Sequence, residues 1–146
     1  MKIKVLASGS KGNVTFIEYE NTRILIDLGM TTHYIEEHLK EMDISPRSID
    51  AILITHTHSD HILGLNSFTK KYNTTVYMSS KMIQYISPSN YVFITKEMTI
   101  KDINVKVIRT SHDVESYGYI INDELVYITD TGYINEKYFD MLKNKK

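Results

Sequence analysis

The sequence predicts a single domain of mixed α and β structure, a sheet with helices packed on it. Three observations carry this. Segments of alternating or continuous apolar residues interleave with segments of helical period. The length, 146 residues, suits one domain of about 100–200 residues. Hydrophobic residues are 42% and charged residues 24%, ordinary globular usage that argues against disorder, collagen and coiled coil.

Residues 2–7 (Lys-Ile-Lys-Val-Leu-Ala) alternate and read as a strand. Ser8-Gly-Ser-Lys-Gly-Asn13 is a turn, with two glycines able to take positive φ. Residues 14–19 and 23–27 read as strands around the turn Glu20-Asn-Thr22, a β-meander. The period then changes. Ile35, Leu39 and Met42 fall on one helical face, so 31–42 is a helix that Thr31 or Thr32 caps. Residues 50–55 (Asp-Ala-Ile-Leu-Ile-Thr) form a short apolar run, the pattern of a strand buried on both faces. Ile62 to Tyr72 is a short helix, 74–78 a strand, and 79–86 a helix stopped before Pro88. Strands at 91–95, 103–110, 117–121 and 125–129 follow, then a C-terminal helix from Asn135 to Lys145.

Seventeen basic against eighteen acidic residues give a net charge of −1, no electrostatic footprint for nucleic acid over the whole domain. Basic residues still cluster locally, at Lys70–Lys71, Lys81 and the tail with Lys143, Lys145 and Lys146. Cysteine is absent, so disulfides and thiolate metal sites are excluded and a reducing, cytoplasmic compartment fits. Apolar runs such as Ala51 to Ile54 fall far short of the roughly 20 residues of a membrane span. The N-terminus has no apolar stretch of signal-peptide length, and no membrane contact is expected.

The informative segment is Thr55-His-Thr-His-Ser-Asp-His61, directly after the apolar run. It holds half of the six histidines. His56 and His58 alternate, so their imidazoles leave the same side of an extended turn and can bind one ion. Asp60 and His61, where the chain turns into a helix, point to a second position. Neutral imidazole and carboxylate are natural ligands for zinc, and also for manganese or iron. Two downstream residues sit at strand ends, where sheet proteins place site residues: His112 after 103–110, and Asp130 after 125–129. Each alone is also explained as a surface or turn residue.

That order resembles the metallo-β-lactamase superfamily. Its His-x-His-x-Asp-His motif is matched by His56, His58, Asp60 and His61, its third-histidine motif by His112, and its bridging aspartate by Asp130. An early strand-end aspartate that supports the histidine loop is matched by Asp27 in Leu25-Ile-Asp-Leu-Gly29. Leu6 to Asn13, Ser111-His-Asp113 and Ile128-Thr-Asp-Thr-Gly-Tyr133 look like the WalJ (YycJ) branch, metallohydrolases described as exonucleases acting on DNA. The resemblance implies an α+β fold of the αββα sandwich type, with mixed sheets and flanking helices. It implies two divalent ions, zinc or manganese, roughly 3.5–4 Å apart. His56, His58 and His112 hold the first; Asp60 and His61 hold the second; Asp130 bridges. Asp60, His58 and Asp130 stand at the reaction, with Asp60 orienting the attacking water. A bound divalent ion brings the water pKa to about 7, which makes hydroxide available for phosphodiester hydrolysis at neutral pH.

The resemblance also sets an expectation about length. The family domain normally continues past the bridging aspartate to a last histidine, and no histidine follows His112 here. A C-terminally shortened domain is therefore expected, with a weaker second metal site. Its sheet face would be covered by self-association or by a partner chain. His33 and His38 fall in the first helix and read as solvated positions. Two other functions stay open: an inactive or regulatory metal-binding module, and a phosphodiesterase for cyclic nucleotides or other small molecules. The Ser8–Asn13 turn serves equally as a strand connection or as a phosphate contact. Tyrosines and lysines such as Tyr72, Tyr85, Tyr91, Lys70 and Lys71 serve as packing residues or as base and phosphate contacts.

Overall fold

The structure is a computed structural model and describes residues 1–111, 116–127 and 133–134. The meander forms as the alternation predicts. β1 (Lys2–Ala7), β2 (Val14–Tyr19) and β3 (Thr22–Ile26) pair antiparallel. β4 (Ala51–Leu53), β5 (Val76–Met78) and β6 (Tyr91–Phe93) add to it in parallel, in spatial order β1 to β6. Parallel neighbours need crossovers. α1 (Thr32–Glu41) joins β3 to β4, while α2 (Ser59–Ile62) and α3 (Leu65–Tyr72) join β4 to β5. Thr31 caps α1 by accepting the Tyr34 N–H at 3.2 Å.

The second sheet is antiparallel throughout. β8 (Ile103–Ser111) lies between β9 (Ser116–Ile121) on one side and β7 (Glu97–Ile100) and β11 (Tyr133–Ile134) on the other, with β10 (Leu125–Tyr127) outside β9.

Period-two burial explains how the layers stack. On β2, β3 and β4, Phe16, Leu25 and Ile52 face the helices and pack with Ile35, Leu39, Leu65 and Phe68. Their neighbours Ile17, Ile24, Ile26, Ala51 and Leu53 face the second sheet and pack with Ile103, Val105, Tyr119 and Ile121. A sheet buried on both faces needs apolar residues at successive positions, as the run at Ala51–Ile54 shows. Two hydrogen bonds cross between the sheets close to the end of β4. The Tyr119 hydroxyl donates to Ile54 O at 2.5 Å, and Tyr117 N–H donates to Thr55 O at 2.7 Å. Among the described residues no helix is long and apolar enough to cross a membrane.

Several elements depart from expectation. The helix expected over Ile62 to Tyr72 is α3, which begins only at Leu65, and the separate short helix α2 precedes it; Gly64, between the two, lies against the Met30 carbonyl. A Cβ there would lie 2.1 Å from Met30 O. His61 lies in α2, early in the crossover from β4 to β5. Residues 80–84 form a 3-10 turn rather than an α-helix, capped by Ser79, whose hydroxyl accepts the Lys81 N–H. The apolar run at 50–55 is a strand only at 51–53, where it pairs with both neighbours. β7 is a strand the sequence did not signal, four residues whose Met98 and Ile100 alone turn inward. The helix expected from Asn135 to Lys145 lies outside the described residues, as do His112 and Asp130.

Candidate metal centre

The site grows from the end of β4. After Leu53 the chain leaves the sheet, and Thr55, His56 and His61 are fully buried at its C-terminal edge. Ligand sites favour that edge of a parallel sheet. β3 ends beside it. Asp27 N–H donates to Leu53 O at 2.8 Å, and Asp27 takes a left-handed φ of 64° that swings its side chain under the histidine segment. Such a conformation is costly for a non-glycine residue and is kept where surrounding contacts fix it.

Those contacts are unusually complete. The Asp27 carboxylate accepts Thr55 N–H at 2.8 Å, the Thr55 hydroxyl at 2.7 Å and the His61 Nδ1–H at 2.5 Å. Burial raises the Asp27 pKa, while His61 and Thr55 oppose the rise. Thr55 has one hydroxyl proton, and it goes to Asp27. Toward His56 Nδ1, at 3.0 Å, Thr55 Oγ1 is therefore the acceptor. The network thus assigns both rings the same tautomer. His56 and His61 carry their protons on Nδ1, which leaves Nε2 as a lone-pair donor. A carboxylate behind a ligating histidine fixes its ring and raises its basicity.

The rings gather. The His56 and His61 centroids are 3.9 Å apart, and His56 and His58 meet edge to face at 4.7 Å. Asp60 Oδ2 is 3.6 Å from His61 Nε2. The structure therefore brings together four of the six expected ligands, His56, His58, Asp60 and His61. Imidazole nitrogens and a carboxylate with anchored tautomers are the donor chemistry that suits a divalent cation. Among the described residues, no three His, Asp or Glu side chains by themselves make a group set to hold an ion. The remaining expected ligands, His112 and Asp130, lie outside the described residues, although β8 runs to Ser111, immediately before His112.

Asn13 and Thr55 were not singled out by sequence reasoning. Asn13 Nδ2 is 3.3 Å from Asp60 Oδ2 and 3.2 Å from His61 Nε2. The available signals were slight: Thr55 opens the histidine motif, and Asn13 closes the glycine-bearing turn. His33 is exposed, and His38 packs on Tyr34 with ring centroids 4.1 Å apart, which agrees with ordinary helix positions.

Two stacked sheets, helices on the outer face of the first, and a histidine–aspartate turn at a parallel strand's end define a layered α+β protein with a polar site at the sheet edge. The chain belongs to the metallo-beta-lactamase superfamily, whose pattern matches residues 7–93. It is similar to exodeoxyribonuclease WalJ of Streptococcus pneumoniae serotype 2, with 34% identity over 98% of this chain and 59% of that protein. It is also similar to exodeoxyribonuclease YycJ of Bacillus anthracis, with 31% identity over 98% of this chain and 59% of that protein. The chain thus spans about three-fifths of the length of these curated relatives. Among solved structures, the metallo-beta-lactamase fold protein YhfI of Bacillus subtilis superposes with a TM-score of 0.79. That match covers 98% of this chain and 68% of the other at 14% identity, a likeness of fold.

Proposed function

We propose that the chain is a metal-dependent hydrolase of phosphodiester bonds, with nucleic acid, and DNA first, as its substrate. The observation that carries this is the Asp27–Thr55 network, which gives His56 and His61 the tautomer a metal ligand needs. The relatives named as exodeoxyribonucleases support the substrate class.

In this reading His56, His58 and His112 would hold one divalent cation and Asp60 and His61 a second, with Asp130 as a further ligand. The pair is zinc or manganese. Such cations, when bound, polarise a phosphoryl oxygen and lower the pKa of water. The chain's own residues do the rest. Asp27 holds the His61 ring through Nδ1, and Thr55 holds the His56 ring, so neither reorganises during turnover. Asp60, half-buried at the mouth of the site, orients the attacking water and accepts its proton. Ser8, Ser10 and Lys11 are exposed on the turn that Asn13 ties to Asp60, a position from which they meet the phosphate backbone of a strand.

The same reading places the protein in the cytoplasm and treats 1–146 as one domain. It also calls for a covering chain on β1. Ile3 and Val5 are 46% and 56% exposed, although they sit opposite the buried Ile17 and Thr15 of β2. A second copy of this chain is the proposed cover; light scattering that finds only monomer removes this part.

A second reading is a metal-binding module that does not cut. One assay separates the two. Chelator-stripped protein is incubated with single- and double-stranded DNA, with manganese or zinc restored, beside Asp60→Ala. Metal-dependent cleavage by the wild type and its loss in Asp60→Ala support the hydrolase. Equal residual activity in both samples removes it.

A further inference from the structure

One side chain reaches two of the ligand residues from a distant segment. Asn13 precedes Asp60 by 47 residues, yet its Nδ2 lies 3.3 Å from both Asp60 Oδ2 and Asp60 O, and 3.2 Å from His61 Nε2. The same amide clasps its own turn: Nδ2 donates to Gly9 O at 2.9 Å, and Oδ1 accepts Gly9 N–H at 3.2 Å. The backbone of Asn13 is tied as well. Its N–H donates to Asp60 O at 2.8 Å, and its carbonyl accepts Gly29 N–H at 2.9 Å. Gly29 makes the approach possible, since a Cβ there would lie 1.7 Å from Asp60 O. Three segments therefore meet at one amide: the turn after β1, the chain after β3, and the start of α2.

We propose that Asn13 is a positioning residue of the metal centre. Its side-chain amide lies against both Asp60 Oδ2 and His61 Nε2, and so fixes the orientation in which the two ligand residues would meet one cation. This rests on the reading above, in which Asp60 and His61 hold that cation. A carboxylate already fixed by a hydrogen bond surrenders less freedom when it ligates, and the loss of such an outer partner typically weakens a metal site about 10–100-fold. The backbone bonds of Asn13 do not need the amide, so the turn keeps its place when the side chain is cut back.

The test is a Co2+ titration of the full chain, followed by calorimetry and by visible absorption. It compares wild type, Asn13→Ala, Asn13→Ser and His61→Ala, with Thr31→Ala as a variant that loses only the α1 cap. His61→Ala is expected to lose one class of Co2+ sites. Both Asn13 variants should keep that class but weaken it about 10–100-fold and change its absorption bands, while the class that depends on His56 stays as in wild type. Thr31→Ala should bind as wild type does. Native affinity and native spectra in a folded Asn13 variant overturn the proposal. If His61→Ala titrates like wild type, the parent reading of Asp60 and His61 as ligands falls instead.

Discussion

His61 Nδ1 lies 2.5 Å from Asp27 Oδ2, with both side chains fully buried. This contact joins the end of β3 to the start of α2 and sets which nitrogen of His61 is left for chemistry. Asp27 also holds Thr55 through two hydrogen bonds, so one carboxylate orders the whole histidine turn.

Asp27→Ala should therefore cost far more than an ordinary polar truncation. It leaves the Thr55 N–H and the His61 ring without their buried acceptor. Removing one partner of a buried pair costs about 3–5 kcal/mol. Denaturant unfolding measures this, and a loss below about 1 kcal/mol, the worth of an ordinary hydrogen bond, would contradict the account.

Glycine replacements should separate close approach from open space. Gly29→Ala forces a methyl group to within 1.7 Å of the Asp60 carbonyl carbon's oxygen, so the turn at Asn13 must come away from α2. Gly9→Ala meets nothing within 4 Å and carries only the strain of its φ of +106°. That strain is of order 1–3 kcal/mol. Expression and thermal melting should show a folded Gly9→Ala and a severely destabilised Gly29→Ala; equal stability of the two would be unexpected.

The sheets should loosen when Tyr119 loses its hydroxyl. Its ring is fully buried between the layers, and its O–H donates to Ile54 O at 2.5 Å. Burial, and then the nearby Asp27 charge, hold the phenol well above its usual pKa, so it stays a donor. Tyr119→Phe leaves a buried carbonyl short of a partner, at a cost of about 1–3 kcal/mol. Because Ile54 precedes the histidine turn, hydrogen exchange should rise at Thr55 and His56 before it rises on α1.

Acid should weaken the contact between α1 and α3. Glu36 meets Lys71 at 2.5 Å and also accepts from the Tyr72 hydroxyl. Lys71 first, and Tyr72 next, hold the Glu36 pKa below its ordinary 4.5. A carboxylate whose pKa is lowered by folding stabilises above its unfolded value, and that contribution disappears as pH falls through the folded value. The stability of the wild type should thus decline from pH 4.5 downward more steeply than that of Glu36→Gln. The difference should be modest, since Lys71 is exposed and Glu36 only half-buried. Parallel acid limbs in the two proteins would rule the contribution out.

Much of this architecture was legible in the residues. The strands at 2–7 and 14–19 and the helix carrying Ile35 and Leu39 form where the sequence places them, and the run after Asp50 is buried as its pattern predicts, although it is a strand only at 51–53. The histidine turn announced itself through an improbable density of ligands. What stayed hidden depends on contacts across the fold. Gly64 separates α2 from α3 where it lies against the carbonyl of Met30, 34 residues upstream. β7 offers only two inward side chains, too few for a periodic signal. Asn13 looked like a turn residue because its partners, Asp60 and His61, become neighbours only when β4 lies beside β3.

The central claim is that the histidine turn is a metal centre. Crystals of the protein soaked in Mn2+ or Zn2+, with diffraction recorded at the metal's absorption edge, test it most directly. One anomalous peak is expected about 2.0–2.2 Å from ring nitrogens of His56 and His58, and a second at Asp60 and His61. Peaks confined to other surfaces, with this turn empty at saturating metal, would contradict it.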